Sequence, residues 1–354
     1  MRRELQRRDG EPMRAAARDR TIKVTLIGSL PPHRGISRYV QGLATALAGR
    51  DDVSLEVLSF ASLYPGWLYP GGDPKATGAA TSDVPGGRVR RSLRWWNPAG
   101  WLLDALTMRG AVVHAQWWSF PLAPVFLVLL AGARMRRRSV VITVHNVEPH
   151  EGGRLRRLAN RAVLPLAHHI VVHTEANRAA LVARGIGGDR VSVLPMGIAP
   201  PTARMDAAAA RSAIGLPAGA PVVLFAGNIR AYKGLDDLIQ AFPLVLGRVP
   251  GARLVIAGQP WGDPSTIERS LRNAEISDAV TARLEYLSET EMSLLLDAAD
   301  VVVYPYTHFD AQSAAAAEAL RHGRAIVVTD VGGLPELVDD GAAIAPPRDH
   351  ARLA

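Results

Sequence analysis

The sequence predicts an α/β protein made of two tandem Rossmann-like, doubly wound domains that face a central cleft. Short segments rich in Val, Ile and Leu alternate with segments of helical length along nearly the whole chain, which is typical of parallel sheets covered by helices. A loop rich in proline and alanine, from residue 197 to about 221, interrupts the alternation. A chain of 354 residues is also too long for one ordinary hydrophobic core. We therefore expect one domain over residues 21–200 and a second over residues 201–354.

Six strands are predicted in the first domain and five in the second. The first six are IKVTLIG (22–28), VSLEVLSF (53–60), VVHAQ (112–116), VVITVH (140–145), HIVVHT (169–174) and VSVLPM (191–196). The other five are PVVLFAGN (221–228), ARLVIAG (252–258), ARLEYL (282–287), VVVYPY (301–306) and AIVVTD (325–330). Their nearly continuous hydrophobicity indicates sheets buried on both faces. Ligands of such sheets bind beyond the carboxyl ends of the strands, which predicts a site in the cleft between the domains.

The segments outside these strands are predicted to differ in character. Residues 120–133 hold the longest apolar run, which is too short to span a bilayer comfortably and is interpreted as a buried helix. Its basic RMRRR continuation would also suit a helix at a membrane interface. Residues 61–101, rich in Pro, Gly and Trp, are expected to form a long irregular loop. Residues 1–20 are charged and lack the apolar core of a signal peptide, so we expect a mobile basic arm.

Charge is divided unevenly between the two halves of the chain. Residues 1–200 contain 28 Lys and Arg against 14 Asp and Glu, whereas the remainder contains 13 against 19. The basic half suggests an anionic partner such as a membrane surface, although a solvated arginine-rich surface explains it equally well. Nucleic acid is less favoured because the arginines belong to no recognised binding module. The absence of cysteine excludes disulfides, thiolate zinc sites and a cysteine nucleophile, and it suits a cytoplasmic protein.

Two features of the first domain follow predicted strands. Gly35 lies in a turn before a helix, where free N–H groups would suit a phosphate, although a tight turn alone also explains this glycine. The turn is not a GxGxxG motif, which argues against a nicotinamide dehydrogenase. His145 ends the VVITVH strand and is expected to face the cleft, although a lone histidine is more often structural. No spacing near His145 is typical of a metal site.

The second domain opens with a pair of cations. In AGNIRAYKG, a turn containing Arg230 and Lys233 follows a buried strand. Two cations at that edge of the sheet would neutralise a diphosphate whose charge increases as it leaves. Taken alone, the two residues are also explained as solvated turn residues.

An alanine-rich run, HFDAQSAAAAEALRHG, holds two carboxylates. Asp310 is predicted to lie in a loop, and Glu318 on the second turn of the helix that follows it. The first N–H groups of that helix, at Ser313 and Ala314, would point into the same space. One carboxylate could then accept hydrogen bonds from a sugar and the other from a ribose, while the helix end binds phosphate. The alternative is that Asp310 only interacts favourably with the helix dipole and that Glu318 is an ordinary surface glutamate.

Three motifs together indicate a family. GNIRAYKG, YTHFDAQSAAAAEAL and VVTDVGGLPELVDDG, in this order and spacing, resemble the retaining glycosyltransferases of family four, which have the GT-B fold. VVHAQWW followed by VVITVHNVEPHE is similar to one branch of that family. The resemblance extends from about Ile22 to about Pro347. It implies an acceptor-side first domain and a nucleotide-sugar-binding second domain, which is expected to be truncated at its end.

The resemblance also implies residue roles. Arg230 and Lys233 would contact the pyrophosphate of the donor, and Glu318 its ribose. Asp310, one methylene shorter than the usual glutamate, would act at the donor sugar. His145 would touch the transferred sugar from the acceptor side. The other donor-binding residues, which would contact the phosphates or the base, are Gly35, Gly258, Tyr286, Leu287, Ser313 and Ala314.

The expected function is therefore the transfer of a sugar, with retention of configuration, from a nucleotide-diphosphate donor to an acceptor hydroxyl. A lipid-linked sugar or a growing polysaccharide is the expected acceptor. No metal or other cofactor is expected, because protein cations and backbone dipoles would carry the charge of the leaving group. The alternatives are a non-catalytic nucleotide-sugar-binding relative and an epimerase or hydrolase on the same architecture. The expected location is the cytoplasm, with peripheral attachment to the inner face of the membrane if the basic domain binds lipid.

Overall fold

The first domain contains a seven-stranded parallel sheet. The structure, a computed structural model, describes residues 21–33, 36–64, 83–147, 154–197, 204–309 and 311–354. The strands of this sheet are β1 (Ile22–Ile27), β2 (Val53–Ser62), β3 (Arg88–Arg94), β4 (Val112–Trp117), β5 (Ser139–Val144), β6 (His169–Val172) and β7 (Val191–Val193). Their order is β3-β2-β1-β4-β5-β6-β7, so the winding direction reverses between β1 and β4.

The second domain contains a six-stranded parallel sheet. Its strands are β8 (Val222–Ala226), β9 (Arg253–Ala257), β10 (Val280–Arg283), β11 (Val301–Tyr304), β12 (Ala325–Thr329) and β13 (Ile344–Ala345). Their order is β10-β9-β8-β11-β12-β13, which places the reversal between β8 and β11. Ligands of doubly wound sheets bind at such reversals, beyond the carboxyl ends of the strands.

Helices cover both faces of the two sheets. They are α1 (Ser37–Ala48), α2 (Pro98–Thr107), α3 (Ala123–Met135), α4 (Arg154–Val163), α5 (Glu175–Ala183), α6 (Ala207–Ala213), α7 (Leu235–Arg248), α8 (Ser265–Asn273), α9 (Glu289–Ala298), α10 (Ala314–Arg321) and α11 (His350–Leu353). In the first domain, α2, α3 and α4 contribute to one hydrophobic core, and α1 lies over a second core on the other face. The second domain likewise has one core on each face of its sheet. The prediction of two doubly wound α/β sheets is confirmed.

Side-chain caps fix several helix starts. Thr174 accepts a hydrogen bond from the backbone N–H of Asn177 at the start of α5. Ser288 and Glu291 form a reciprocal capping box at the start of α9. Asp206 accepts from two backbone N–H groups at the start of α6. Each cap satisfies donors that the first helical turn cannot pair internally.

The predicted loop over residues 61–101 is wrong in part. Residues 65–82 lie outside the described residues, but the rest contains the end of β2, all of β3 and the start of α2. Strand β3, RVRRSLR, lacks the apolar pattern of the other strands because it lies at the edge of the sheet, where several of its side chains reach solvent. The predicted strand 282–287 is also displaced, since β10 ends at Arg283. The short strand β13 was not predicted.

The buried helix predicted at residues 120–133 is confirmed as α3, with side chains such as Phe126, Leu129 and Leu130 fully buried. Across the described ranges, no helix combines the length and apolarity required to cross a bilayer. The predicted basic arm at residues 1–20 lies outside those ranges.

Several contacts among the described residues join the two domains. The carboxylate of Glu336 accepts hydrogen bonds from the backbone N–H groups of Glu175, at 3.1 Å, and Ala176, at 3.3 Å, at the amino end of α5. On α1, Arg38 forms an ion pair of 2.8 Å with Glu289 of α9. The side chain of Gln312 accepts from the backbone N–H of Met196. The loops beyond the carboxyl ends of both sheets therefore meet at the domain boundary.

Candidate functional site

The turn after β8 is held tightly against the end of β11. The chain leaves β8 through Gly227, forms a short 3₁₀ turn over Ala231–Lys233, and enters α7 through Gly234, whose φ is +66°. A side chain at position 234 would collide with the carbonyl oxygen of Pro305, just beyond β11. Both the left-handed backbone and this close approach require glycine. The turn therefore lies at the point where the winding of the sheet reverses.

Lys233 extends from this turn toward the amino end of α10. Its Nζ lies 3.2 Å from the position that a Cβ on Gly227 would occupy, and that position is 3.9 Å from the Cβ of Ala315. Nζ also lies 5.3 Å from the ring centroid of Tyr306. Burial lowers the pKa of Lys233, Tyr232 opposes this effect, and the charge of Arg230 adds to it. Within the described residues Lys233 forms no ion pair.

The amino end of α10 offers hydrogen-bond donors beside this cation. Ser313 caps the helix, because its Oγ accepts from the N–H of Ala316 at 3.3 Å, and it lies 3.2 Å from the hydroxyl of Tyr306. Within the described chain, the N–H groups of Ala314 and Ala315 have no hydrogen-bond acceptor. A helix amino end carries a partial positive charge, so Lys233 and α10 together suit an anion.

Arg230 supplies a second cation, which an aromatic ring holds in place. Its guanidinium carbon lies 3.5 Å from the centroid of the Trp261 ring. Trp261 is connected to this turn by a backbone hydrogen bond to the carbonyl of Ile229. Stacking on indole restrains a guanidinium and leaves its edge N–H groups able to bind oxygen anions.

Glu318 lies on the second turn of α10, as the sequence predicts, and it forms an ion pair with Arg321 on the same helix. His322 lies behind it, with Nε2 at 3.9 Å from a carboxylate oxygen of Glu318. The other ring nitrogen of His322 is 2.9 Å from the carboxylate of Asp297, and both of these side chains are buried. Asp297 also accepts from the N–H of Met205 at 2.8 Å. A buried acid and imidazole thus support the helix turn that carries Glu318.

The residues predicted near the nucleotide base lie beyond the neighbouring strands β9 and β10. Gly258 follows β9 with φ of +142°, and a side chain there would collide with the backbone of Gly227. This glycine therefore has a packing role at the same edge of the sheet. Leu287 is buried in the core, whereas the side chain of Tyr286 is about half exposed.

His145 follows β5 and is buried within a polar network. Its Nε2 lies 3.0 Å from the side-chain oxygen of Gln116, and its Nδ1 lies 3.3 Å from Nε2 of His173. The Nδ1 of His173 is 2.8 Å from the carbonyl of Leu194. The ring edge of Tyr39 on α1 packs against both imidazoles, at centroid distances of 5.0 and 5.2 Å. Both nitrogens of His145 therefore already have protein partners.

The protonation of this network follows from counting its donors. The network has three contacts: Gln116 with His145, His145 with His173, and His173 with the Leu194 carbonyl. Each contact needs one donated proton, but two neutral imidazoles supply only two. Burial lowers the pKa of His145 well below its usual range, and the neighbouring His173 and His114 lower it further. A neutral pair is then completed if Gln116 turns its amide N–H toward His145. Within the described chain that buried amide nitrogen has no other partner.

Several predicted positions lie outside the described residues. These are Gly35, Asp310 and the segment 148–153 that follows His145. Among the residues that the structure describes, no group of histidine and acidic side chains could hold a metal ion.

Two family models match the chain. "Glycosyl transferase 4-like domain" matches residues 34–197, and "Glycosyl transferases group 1" matches residues 220–354. The chain belongs to the group 1 glycosyltransferases. The resemblance that the sequence motifs indicated is thereby confirmed.

Curated relatives of this group 1 glycosyltransferase include the D-inositol 3-phosphate glycosyltransferases of Mycobacterium tuberculosis and Mycobacterium bovis. Each is 31% identical over 192 residues, which are 53% of this chain and 39% of the relative. The chain thus spans about two fifths of the length of the curated relatives it matches.

Solved structures share the whole architecture. A sucrose-phosphate synthase from Thermosynechococcus elongatus superposes with a TM-score of 0.69 at 19% identity, covering 94% of this chain and 88% of that one. The Anabaena protein HepE, in complex with UDP and glucose, gives a TM-score of 0.68 at 16% identity with the same coverage of both chains. The lipopolysaccharide outer core galactosyltransferase WaaB gives 0.63 at 13% identity, covering 93% of this chain and 87% of that one. The group 1 glycosyltransferase described here therefore has the GT-B fold.

Some residues around the site of this group 1 glycosyltransferase were not predicted from its sequence. His173 could have been found, because it lies near the end of the predicted strand HIVVHT, as His145 lies at the end of VVITVH. Tyr306 ends the predicted strand VVVYPY and could also have been found. Trp261, Asp297 and His322 carry no local signal, since only the folded chain brings them to Arg230 and Glu318.

Proposed function

We propose that this chain transfers a glycosyl group from a nucleotide-diphosphate sugar to an acceptor hydroxyl, with retention of anomeric configuration. The observation that carries the proposal is the convergence of Lys233 with the amino end of α10, beside Gly227. A buried cation without an ion-pair partner in the described chain is costly unless a ligand neutralises it. A diphosphate is such a ligand, because Lys233, Arg230 and backbone N–H groups can share its charge.

The proposed reaction needs no base from the protein. The acceptor oxygen forms a bond to the anomeric carbon on the face that the diphosphate leaves. The bond from that carbon to the diphosphate oxygen breaks, and the acceptor proton passes to a phosphate oxygen. Lys233, Arg230 and the α10 amides stabilise the charge that develops on the diphosphate. No metal or other cofactor is proposed.

The remaining roles in the proposal follow the sequence resemblance. Glu318 would bind the ribose, and Asp310 would act at the donor sugar. Ser313, Ala314 and Gly35 would bind phosphate. The base would lie near Gly258, Tyr286 and Leu287. A neutral His145 would contact the transferred sugar only by exchanging one of its two protein hydrogen bonds.

The acceptor in this proposal is a lipid-linked sugar or a growing polysaccharide. The basic first domain suits an acceptor at an anionic surface. The HepE complex supports a nucleotide sugar as donor for a GT-B chain, because that protein was solved with UDP and glucose.

Calorimetric titration with a panel of nucleoside diphosphates tests the donor site. We expect Lys233→Ala to weaken binding of the preferred diphosphate about tenfold to a hundredfold, which is typical for one charge-assisted contact. Lys23→Ala is the matched control, because Lys23 is exposed at the amino end of β1, away from the site. Unchanged affinity in Lys233→Ala would refute the proposed site.

Turnover separates the alternatives. Each nucleotide sugar that binds is incubated with and without a panel of glycan and lipid-linked acceptors, and NMR gives the anomeric configuration of the product. Transfer with retention supports the proposal. Binding without turnover indicates a non-catalytic relative. Release of free sugar indicates a hydrolase, and conversion of the donor to another nucleotide sugar indicates an epimerase.

A further inference from the structure

Helix α2 has an apolar outer face. Leu102, Leu103 and Leu106 are 57%, 60% and 67% exposed, whereas Asp104 between them is buried. Asp104 is turned inward, where it forms an ion pair with Arg90 of β3. A helix on the surface of a globular protein normally has the opposite arrangement, with apolar residues inward and charged residues outward. Helix α2 also buries the apolar Trp101 and Ala105, so its exposed leucines form a second, outward apolar face, which is typical of a surface that contacts something other than water.

The end of α3 extends this apolar surface. Gly132 lets α3 approach α2 closely, because a Cβ there would lie 2.8 Å from the Cβ of Ala105. The guanidinium of Arg136, just after α3, donates to the carbonyl of Leu106. Met135, the residue before it, is 85% exposed. We call Leu102, Leu103, Leu106 and Met135 the leucine face.

Aromatic side chains lie just before α2. Trp95 and Trp96 follow β3 and are both partly exposed, and Trp96 lies 5.7 Å from the guanidinium of Arg94. Tryptophan is enriched where a protein surface meets the polar boundary of a bilayer.

Arginines surround the leucine face. Between residues 88 and 138 the sequence contains nine arginines, no lysine and one acidic residue, the buried Asp104. Those with exposed side chains are Arg88 and Arg94 on β3, Arg109 after α2, and Arg134, Arg136 and Arg137 at or just after the end of α3. An apolar centre with a cationic border matches a surface that is anionic outside and apolar beneath.

We propose that the leucine face and its arginines bind the surface of an anionic lipid bilayer. The leucines and Met135 would enter the boundary between headgroups and acyl chains, while the arginines bind lipid phosphates. A second copy of this chain is a poorer occupant, because a symmetric contact through this face would bring the arginines of both copies together. The inference does not depend on the transfer chemistry, so either proposal can fail without the other.

Vesicle sedimentation tests the inference. Wild-type protein is mixed with vesicles of phosphatidylcholine alone, or with about one third phosphatidylglycerol, at low and physiological salt. We expect binding to the anionic vesicles, weaker binding at higher salt, and little binding to phosphatidylcholine. The double variant Leu102→Gln/Leu106→Gln should lose at least tenfold in vesicle affinity. The matched control is Leu244→Gln on α7, which changes a leucine that is 45% exposed in the second domain.

The arginines and the leucines are tested separately. Arg88→Gln/Arg137→Gln, at two exposed positions, should reduce the preference for anionic vesicles and the salt dependence while the leucine face stays intact. Far-ultraviolet circular dichroism and the midpoint of thermal unfolding verify that each variant folds. Wild-type protein that shows no preference for anionic vesicles at low salt would overturn the inference. Equal vesicle binding by the wild type and the leucine variant would also overturn it. So would wild-type protein that binds no vesicles but forms a dimer in ultracentrifugation, if the leucine variant abolishes that dimer.

Discussion

At the residue scale, Gly234 determines where Lys233 lies. An alanine there would adopt a strained left-handed backbone, and its Cβ would collide with the carbonyl of Pro305. We expect Gly234→Ala to lower the free energy of unfolding by about 3 kcal/mol or more in urea titrations. Gly215→Ala is the matched control, because Gly215 has φ of +78° but no atom within 4 Å of the added Cβ. Its expected cost is about 1 kcal/mol, and equal costs at both positions would contradict the packing argument.

The buried pair of Asp297 and His322 is a second residue-scale feature. Asp297→Ala would leave the imidazole of His322 and the N–H of Met205 without their acceptor. We expect a loss of about 3 kcal/mol in the free energy of unfolding, because buried partners are left unpaired. Asp339→Ala, at an exposed position, should change stability by less than about 0.5 kcal/mol. A similar small effect at Asp297 would contradict the structural importance of the pair.

The predictable residues share one property. Arg230, Lys233 and Glu318 are placed by the turn or helix that contains them, so a local pattern was enough to predict their positions. The pairing of Asp297 with His322 joins α9 to the end of α10, and the stacking of Arg230 on Trp261 joins two loops. Such contacts depend on how elements pack, which no local pattern specifies.

At the element scale, hydrophobic runs predicted the central strands and missed the edges. Strands that are buried on both faces must be apolar throughout, so their sequences reveal them. Edge strand β3 has four arginines in seven residues because solvent reaches it, and β13 is only two residues long. Helix α10 was predicted because alanine has the highest helix propensity. In the structure its alanines Ala316, Ala317 and Ala319 are buried.

Helix α5 leads to a prediction about the link between domains. The backbone N–H groups at its amino end donate hydrogen bonds to the carboxylate of Glu336 in the second domain. A negative charge is favourable at that position, because the amino end of a helix dipole is positive. We expect Glu336→Ala to accelerate hydrogen exchange at the amides of Glu175 and Ala176 about fivefold to tenfold. Glu291→Ala, which breaks the capping box of α9, should accelerate exchange in α9 but not in α5. Unchanged exchange at α5 in Glu336→Ala would mean that the contact does not persist in solution.

At the scale of the whole molecule, the two sheets bring their carboxyl edges to one boundary. The rule that ligands bind at winding reversals explains why Lys233 and α10, which follow β8 and β11, come together. The sequence predicted this architecture because each sheet repeats the same strand and helix rhythm. It could not predict the contacts of Arg38 and Glu336 across the boundary, because these depend on the relative orientation of the two domains.

Histidines in the first domain make stability depend on pH. Burial lowers the pKa of His114 to about 4, and it also lowers the pKa of His145 and His173. These residues stay neutral in the folded protein, whereas the unfolded chain takes up protons near pH 6.5. Between pH 6.5 and about 4 the unfolded state therefore binds more protons, and the folded state loses stability as the pH falls.

The size of this effect can be tested at His114. A histidine that stays neutral while its unfolded counterpart is protonated contributes about 1.4 kcal/mol per pH unit, so His114 alone accounts for about 3 kcal/mol between pH 6.5 and 4. His114→Gln, which can keep a hydrogen bond to Thr143, should reduce the slope of unfolding free energy against pH in this window. His308→Gln, at an exposed position, is the control for the removal of a histidine. If both variants follow the wild-type slope, the imidazole of His114 is accessible to protons in the folded state, and the loss of stability in acid must come from other groups.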